Sequence, residues 1–402
     1  MHKSLELTVE NAVICFVTSR YWIKSKGASK LIRHIYSDAT ILQIVDFGKL
    51  KVFDSVVGLH MISLIQKGHK LINCNYYKID NDVANIKSRN FSEQRIIQHN
   101  QIISNNEINI EEQILQESTL KTISLKEKFT VSQGVVEAPA KVSSKMYNKY
   151  PNPNISVGYG VFVLTDSEVE NLCLSKYEKD RCLVRYITDG GIHMYDIETV
   201  SSQNLIYADK ELRELISNNT NCGFNNVKRH LDYCRRYITS SNAPYGLHRP
   251  RVKSAFLQAK IIGPSMFKTP MFAYDDKGYF VGMSYNIINQ REKDFSLYFL
   301  LGILNSKYAA RWFWQNAKHR GAGVDVGVAK LEEFPLPKYP SDDIMSEIER
   351  YVRDIITDKN NISLHAIHID KLVYRLYNLT YDEVLIVDPE TPITREEYEK
   401  IE

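Results

Sequence analysis

No C-x-x-C pair occurs among the six cysteines of this 402-residue chain (Cys15, Cys74, Cys173, Cys182, Cys222, Cys234). That spacing offers neither zinc ligands nor a disulfide framework, and a reducing cytoplasm is the expected compartment. No apolar run approaches the ~18 residues needed to cross a bilayer, so no membrane span is expected. The first residues carry no apolar stretch with a small-residue cleavage site, so no secretory leader is expected. Residues 341–402 contain no glycine. Repeats and low-complexity tracts are absent as well. What is present is ordinary globular material, 44% hydrophobic and 25% charged, enough for two or three domains of roughly 100–200 residues.

The net charge of +3 conceals an asymmetry. Residues 341–402 hold 7 Lys/Arg against 15 Asp/Glu, leaving 44 bases against 33 acids in the first 340 residues. The basic residues cluster in three stretches. Ser19–His34 holds Arg20, Lys24, Lys26, Lys30 and Arg33 with no acid. Asn226–Lys260 holds eight bases, Arg249, Arg251 and Lys253 among them, against Asp232 alone. Phe295–Val324 holds Lys307, Arg311, Lys318 and Arg320 with no acid. Basic stretches interleaved with Tyr, Trp and His suit a polyanion, since phosphate binding is driven by counterion release. Any one of them alone is ordinary solvated surface.

Ala12–Thr18 is a continuous β-branched apolar run and reads as a buried parallel strand. Gly27–Tyr36 has helical spacing, and Ile41–Val45 and Val56–Ile65 read as further strands. Three strands cannot cover both faces of a sheet, so this α/β domain is expected to be partial. Asp80–Leu125 reads as a connector with a helix at Asn109–Glu117. Short strands follow from Thr130, with Asp275-Asp276-Lys277-Gly278 as a hairpin turn between FAY and YFVGMSY. Ser296–Asn316 reads as one amphipathic helix, Lys330–Tyr339 as an extended exit, and Asp342–Ile356 and Ser363–Tyr377 as two more helices. The expected class is α/β followed by α+β. It comprises a partial Rossmann-like sheet at 1–75, a connector at 76–129, a β-rich domain at 130–340 and a helical segment at 341–402.

A series of motifs in one family's order carries a resemblance. FVTSRYWIKSKGASKLIRHI, ILQIVDFGKLKVF and VVGLHMISLI resemble the last third of the catalytic domain of TaqI-type adenine-N6 DNA methyltransferases, including type IIG restriction–modification enzymes. VSQGVVEAPAKVS with YGVFVLTDSEV resembles the start of that family's target-recognition domain. LHRPRV, FAYDDKGYFVGMSYNII, LYFLLGILNSKYAARWF and LEEFPLPKY resemble its later half, and IDKLVYRLYNLTYDEVLIVDP the type IIG helical tail. The family binds S-adenosylmethionine with a Gly-rich turn and works through an N-P-P-Y or D-P-P-Y turn. That turn's polar side chain and carbonyl accept from the adenine amino group while the aromatic stacks on the flipped base. Both elements are missing here. Asn242-Ala243-Pro244-Tyr245 lacks the first proline and no Gly-rich strand end precedes it, so no catalytic residue is assigned.

The resemblance makes Phe53 a candidate for stacking on an extruded adenine, against the alternative of a core phenylalanine. Tyr21 and Trp22 end the first strand, where α/β domains place ligands, and either line a pocket or cap the sheet. Arg249, Arg251 and Lys253, with Lys318 and Arg320, are the DNA-binding candidates. Phosphate contact is favoured over base readout, because phosphate and sugar take half or more of protein–DNA hydrogen bonds. His319-Arg320-Gly321-Ala322-Gly323 reads as a flexible loop. His365, His368 and Asp370 have metal-like spacing but lack a third convergent ligand, so no metal site is assigned. The expectation is DNA target recognition on double-stranded DNA, with S-adenosylmethionine bound only in a complete enzyme. Methyl transfer then needs a partner chain carrying the N-terminal half. A stand-alone DNA-binding specificity protein and an inactive truncated product are the alternatives.

Overall fold

The computed structural model describes residues 1–53, 55–56, 58–68, 73–80, 82–104, 107–110, 120–200, 202–218, 223–321 and 323–400. It packs as two units. The first comprises Met1–Glu117, Met266–Thr269 and Ala310–Val326, and the second Ser118–Ser265, Pro270–Ala309 and Gly327–Glu402. The whole is mixed α/β with several sheets. No described helix is long and apolar enough to cross a membrane.

The first unit is built on a five-stranded sheet of β1 (Val13–Ser19), β2 (Ala39–Asp46), β3 (His60–Lys67), β4 (Asn73–Lys78) and β5 (Glu93–Gln98), in the order β1-β3-β2-β4-β5. β3 runs antiparallel to both β1 and β2, so β1 and β2 point the same way, and β4 lies parallel to β2. The helix Ser29–Asp38 buries Ile32 and Ile35, three residues apart on one face, and they join Ile41, Ile44, Met61 and Ile65 in the core on one side of the sheet. The other side is covered only in part, by Val45, Phe47 and Ile79 with neighbouring loop residues.

Two expectations need correction here. β1 is not a buried parallel strand. It pairs antiparallel with β3, and its residues alternate between exposed and half-buried. Val13 and Val17 are 50% and 48% exposed on the uncovered face, beside the half-buried Ile62 and Leu64 of β3. Asp80–Leu125 is more than connector, because β5 joins the sheet from within it. The helix expected at Asn109–Glu117 falls mostly on 111–117, outside the described residues.

The second unit holds two four-stranded sheets. One orders Val163–Leu164, Gln203–Ile206, Leu183–Ile187 and Phe280–Val281; the other orders Ala273–Asp275, Lys260–Pro264, Tyr285–Gln290 and Phe129–Gln133. The Asp275–Gly278 turn forms, with Gly278 at φ +78°, and the Asp275 carboxylate accepts from the Lys277 and Tyr279 amides at 2.9 Å each. It is not a hairpin, however. Ala273–Asp275 pairs with Lys260–Pro264, whereas Phe280–Val281 pairs with Leu183–Ile187 in the other sheet. Ser296–Asn316 is two helices, Leu297–Leu304 and Lys307–Asn316. Between them the Asn305 carboxamide exchanges two hydrogen bonds with the Phe272 backbone (2.8 and 2.9 Å), and Ser306 Oγ caps the second helix at the Ala309 amide. The helices Asp342–Thr357 and Ile362–Leu376 form as expected. Gly302 lets Leu297–Leu304 approach them, since a Cβ there would stand 2.5 Å from Ile348 Cγ2.

Candidate nucleic-acid interface

Folding sorts the basic residues into tied and free. In the first unit Arg20 is buried and donates from Nη1 to Asp46 Oδ2 at 2.9 Å, and Tyr76 Oη donates to the same oxygen. Lys24 is buried against Glu107 at 3.2 Å and Asn109 Oδ1. In the second unit Lys260 is fully buried and paired with Asp275. These three cations belong to the interior and face no polyanion. Lys30, Arg33, Arg235, Arg236 and Arg249 are exposed, as is Arg229, which donates to Asn226 Oδ1 at 2.9 Å.

At the carboxyl end of β1 and β2 the sequence candidates of the first unit gather. Tyr21 and Trp22 sit in a one-turn helix, Arg20–Lys24, directly after β1. Trp22 donates from Nε1 to Thr18 Oγ1 (3.1 Å) and leans on the core, while Tyr21 stays 41% exposed. Lys318 lies 5.3 Å above the Tyr21 ring and donates to its hydroxyl at 3.3 Å, joining two candidates 297 residues apart. Phe53 is 43% exposed, so it is not a core phenylalanine. Its ring meets the edge of His60, the first residue of β3, at 5.1 Å. His60 is buried, and its Nδ1 has no hydrogen-bond partner among the described residues.

His319, Arg320 and Gly323 of the segment expected as a flexible loop lie in a small sheet instead, and Ala322 falls outside the described residues. Lys318–Arg320 pairs with Gly323–Asp325, which pairs in turn with Met266–Phe267. Gly323 serves that pairing, because a Cβ there would stand 2.5 Å from the Phe267 carbonyl oxygen. Arg320 is largely exposed, with Asp325 at 3.8 Å, a pairing of little strength at a surface.

In the second unit the arm Arg249–Arg251 is fastened along its backbone. Arg249 and Val136 exchange N–H···O bonds of 3.0 and 2.9 Å, and the buried Tyr207 donates to the Arg251 carbonyl at 2.9 Å. Arg251 has φ +62°, a conformation L-residues seldom hold. Its guanidinium donates to Gly134 O (3.2 Å) and Gln133 Oε1 (2.9 Å). Burial, with Arg249 beside it, lowers its basicity. Arg249 projects without an ion-pair partner among the described residues. Lys253 turns away, over the Tyr207 ring and onto the Arg181 carbonyl at 3.3 Å. Beside Pro250 lies a hollow of about 180 Å³ edged by Lys210 and Arg213. Gln133, Tyr207, Lys210 and Arg213 were not singled out from sequence. Gln133 left a trace there, next to a glycine inside a strand-like run, and Tyr207 within the run NLIYA.

Asn242-Ala243-Pro244-Tyr245 serves architecture. Asn242 accepts from Arg213 and donates both amide protons, to Leu247 O and His248 O. The Tyr245 hydroxyl is held between Asp232 and Lys228. His368 stacks on Tyr351, centroids 5.1 Å apart, with His365 against the same ring, and Asp370 accepts from the Lys307 amide at 2.8 Å.

Residues 220–336 match the TaqI-like C-terminal specificity domain, and residues 1–53 match the Eco57I restriction-modification methylase family. Arg249, Arg251, Lys253, Lys318 and Arg320 fall in the first range, and Tyr21, Trp22 and Phe53 in the second. Among solved structures the chain is similar to the type IIL restriction-modification enzyme MmeI in complex with DNA. Identity is 12% over 94% of this chain and 49% of that one, with TM-score 0.59. It also matches the type IIG restriction endonuclease BpuSI (12% identity, 93% and 48% coverage, TM-score 0.36) and the DrdV–DNA complex (10%, 88% and 38%, 0.41). The chain thus spans about half the length of MmeI and shares its fold. The matches fall in the order the motifs foretold: a restriction-modification methylase family over the first residues and the TaqI-like C-terminal specificity domain after them.

Proposed function

We propose that this chain recognises a DNA target for a restriction-modification methyltransferase. The observation that carries this reading is the specificity-domain match over residues 220–336, which contains the unpaired, exposed Arg249 and the part-buried Arg251. On this reading the complete enzyme is an S-adenosylmethionine-dependent adenine-N6 methyltransferase of type IIG character. The residues present do not fit the cofactor by themselves. The carboxylate at the end of β2, Asp46, is consumed by Arg20, Tyr76 and the Gly48 amide, and the 402 residues hold no Gly-rich strand end or N-P-P-Y turn. Both elements must come from other polypeptide sequence. The uncovered valines of β1, and its edge away from β3, offer that sequence an apolar face and a strand edge to meet.

Fluorescence anisotropy of a labelled duplex against the full chain, at several salt concentrations, tests the DNA reading. Affinity is expected to fall with salt by about 0.9 log units per log unit for each phosphate neutralised. Arg249→Ala and Arg320→Ala should each weaken binding. Salt-independent binding, or wild-type affinity in the double variant, would make these arginines ordinary solvated charge.

A further inference from the structure

Arg249 and Arg251 stand two residues apart, yet the fold treats them in opposite ways. Arg249 is fixed through its backbone, and its side chain is exposed and unattached among the described residues. Arg251 is fixed at every level. Its carbonyl is held by Tyr207, its Nε by Gly134 O and its Nη2 by Gln133 Oε1. Gln133 is itself anchored, donating from Nε2 to Met283 O at 2.8 Å. Gly134 can approach only because it has no side chain, since a Cβ would stand 2.1 Å from Gly282 O.

The arrangement is costly for stability alone. A part-buried guanidinium ordinarily has a carboxylate beside it, and this one has two neutral acceptors and a second arginine nearby. It also sits on a strained backbone at φ +62°. Of its five N–H donors, two are engaged. The remaining three sit on a rigidly held fork with no anion to meet among the described residues. Phosphate needs no such rigidity, since a mobile, exposed cation like Arg249 follows the backbone of any sequence. Reading a base edge does need it, because the paired donors must meet two acceptors at fixed separation.

We propose that Arg251 reads a base edge in the major groove, the O6/N7 acceptor pair of guanine, with Gln133 as its positioning residue and Arg249 as a phosphate anchor. This rests on the DNA-recognition reading above and divides labour within it. It also reverses the preference for phosphate at Arg251 that the sequence alone suggested.

The test is selection of bound duplexes from a randomised DNA library by the full chain, for wild type, Arg251→Lys, Gln133→Ala and Arg249→Ala. Wild type should enrich a motif containing at least one G·C pair. Arg251→Lys keeps the charge and loses the fork, and should lose preference at one position by about 5- to 150-fold with the others intact. Gln133→Ala should weaken preference at that same position. Arg249→Ala should keep the motif and lower the log–log salt slope by about 1. If Arg251→Lys fails to fold, Gln133→Ala, which leaves Arg251 in place, decides. A motif kept in full by both Arg251→Lys and Gln133→Ala overturns the assignment while leaving DNA recognition standing. No enriched motif from wild type removes the recognition reading and this inference with it.

Discussion

Lys260 and Asp275 allow a quantitative check on what fastens the second unit. Both side chains are essentially unexposed, at 0% and 1%. The ammonium is held by the Asp275 carboxylate and the Phe256 carbonyl. The carboxylate holds the ammonium and two turn amides. Burial lowers the Lys260 pKa and the carboxylate opposes that shift. Removing one member of a buried pair costs about 3–5 kcal/mol, mainly because the other charge is stranded. Asp275→Ala also unmakes two turn bonds, at about 1 kcal/mol each, and should sit at the top of that range or just above it. Lys260→Met leaves the carboxylate its two amide donors and should cost less, about 2 kcal/mol. Lys260→Met with Asp275→Ala strands neither charge, so the double loss should fall about 2–3 kcal/mol short of the summed singles. Hydrogen exchange of the amides in Lys260–Pro264 and Tyr285–Gln290 reads the unit directly. Tryptophan fluorescence reads the other unit, because Trp22, Trp312 and Trp314 all belong to it. Additive single and double losses, or an Asp275→Ala cost under about 1 kcal/mol, would refute the reasoning.

Two further outcomes are expected. Gly134→Ala drives a Cβ to 2.1 Å from Gly282 O and 2.4 Å from Val281 O, both backbone atoms that cannot swing aside. Its Tm should drop by about 5–10 °C, against a change within ~2 °C for Gly27→Ala, whose nearest atom would be a serine hydroxyl at 3.6 Å. Burial first, and Asp388 second, raise the Asp370 pKa from 3.8 to about 7. A raised carboxyl stabilises below its unfolded pKa and loses that contribution as pH climbs through the folded one. Wild-type Tm should therefore sag between pH 4 and pH 7–8. Asp370→Asn, which keeps an acceptor for the Lys307 amide, should flatten that sag; an unchanged pH profile would count against it.

Local signals carried far into the fold. β-branched runs marked β1, β2 and β3, and the helix expected at Gly27–Tyr36 forms at Ser29–Asp38. The failures share one cause: the deciding partner lies far along the chain. Counting charge in a window could not see that Arg20, Lys24 and Lys260 would be claimed by Asp46, Glu107 and Asp275. The apolar run Ser296–Asn316 gives no hint that Phe272 would capture Asn305 and interrupt the helix. The Asp275 turn was legible in its residues, whereas the divergence of its two strands depended on Leu183–Ile187. At the candidate interface the exposed arginines were legible from charge. The grip of Gln133 on Arg251 was not, across 118 positions.

The strand order of the first sheet also dictates a sequence of events in time. β1 and β2 emerge before β3 during synthesis, but neither touches the other, because β3 lies between them. Until His60–Lys67 has been made, two strands that will be neighbours of one insert have nothing to pair with. β3 must then enter a gap and form hydrogen bonds on both sides at once, joining Val13 to Gln66 and Asp46 to Met61. Non-local pairing of this kind folds slowly and leaves edges exposed meanwhile. The edges of β1 and β2 are thus open to aggregation until that central strand arrives.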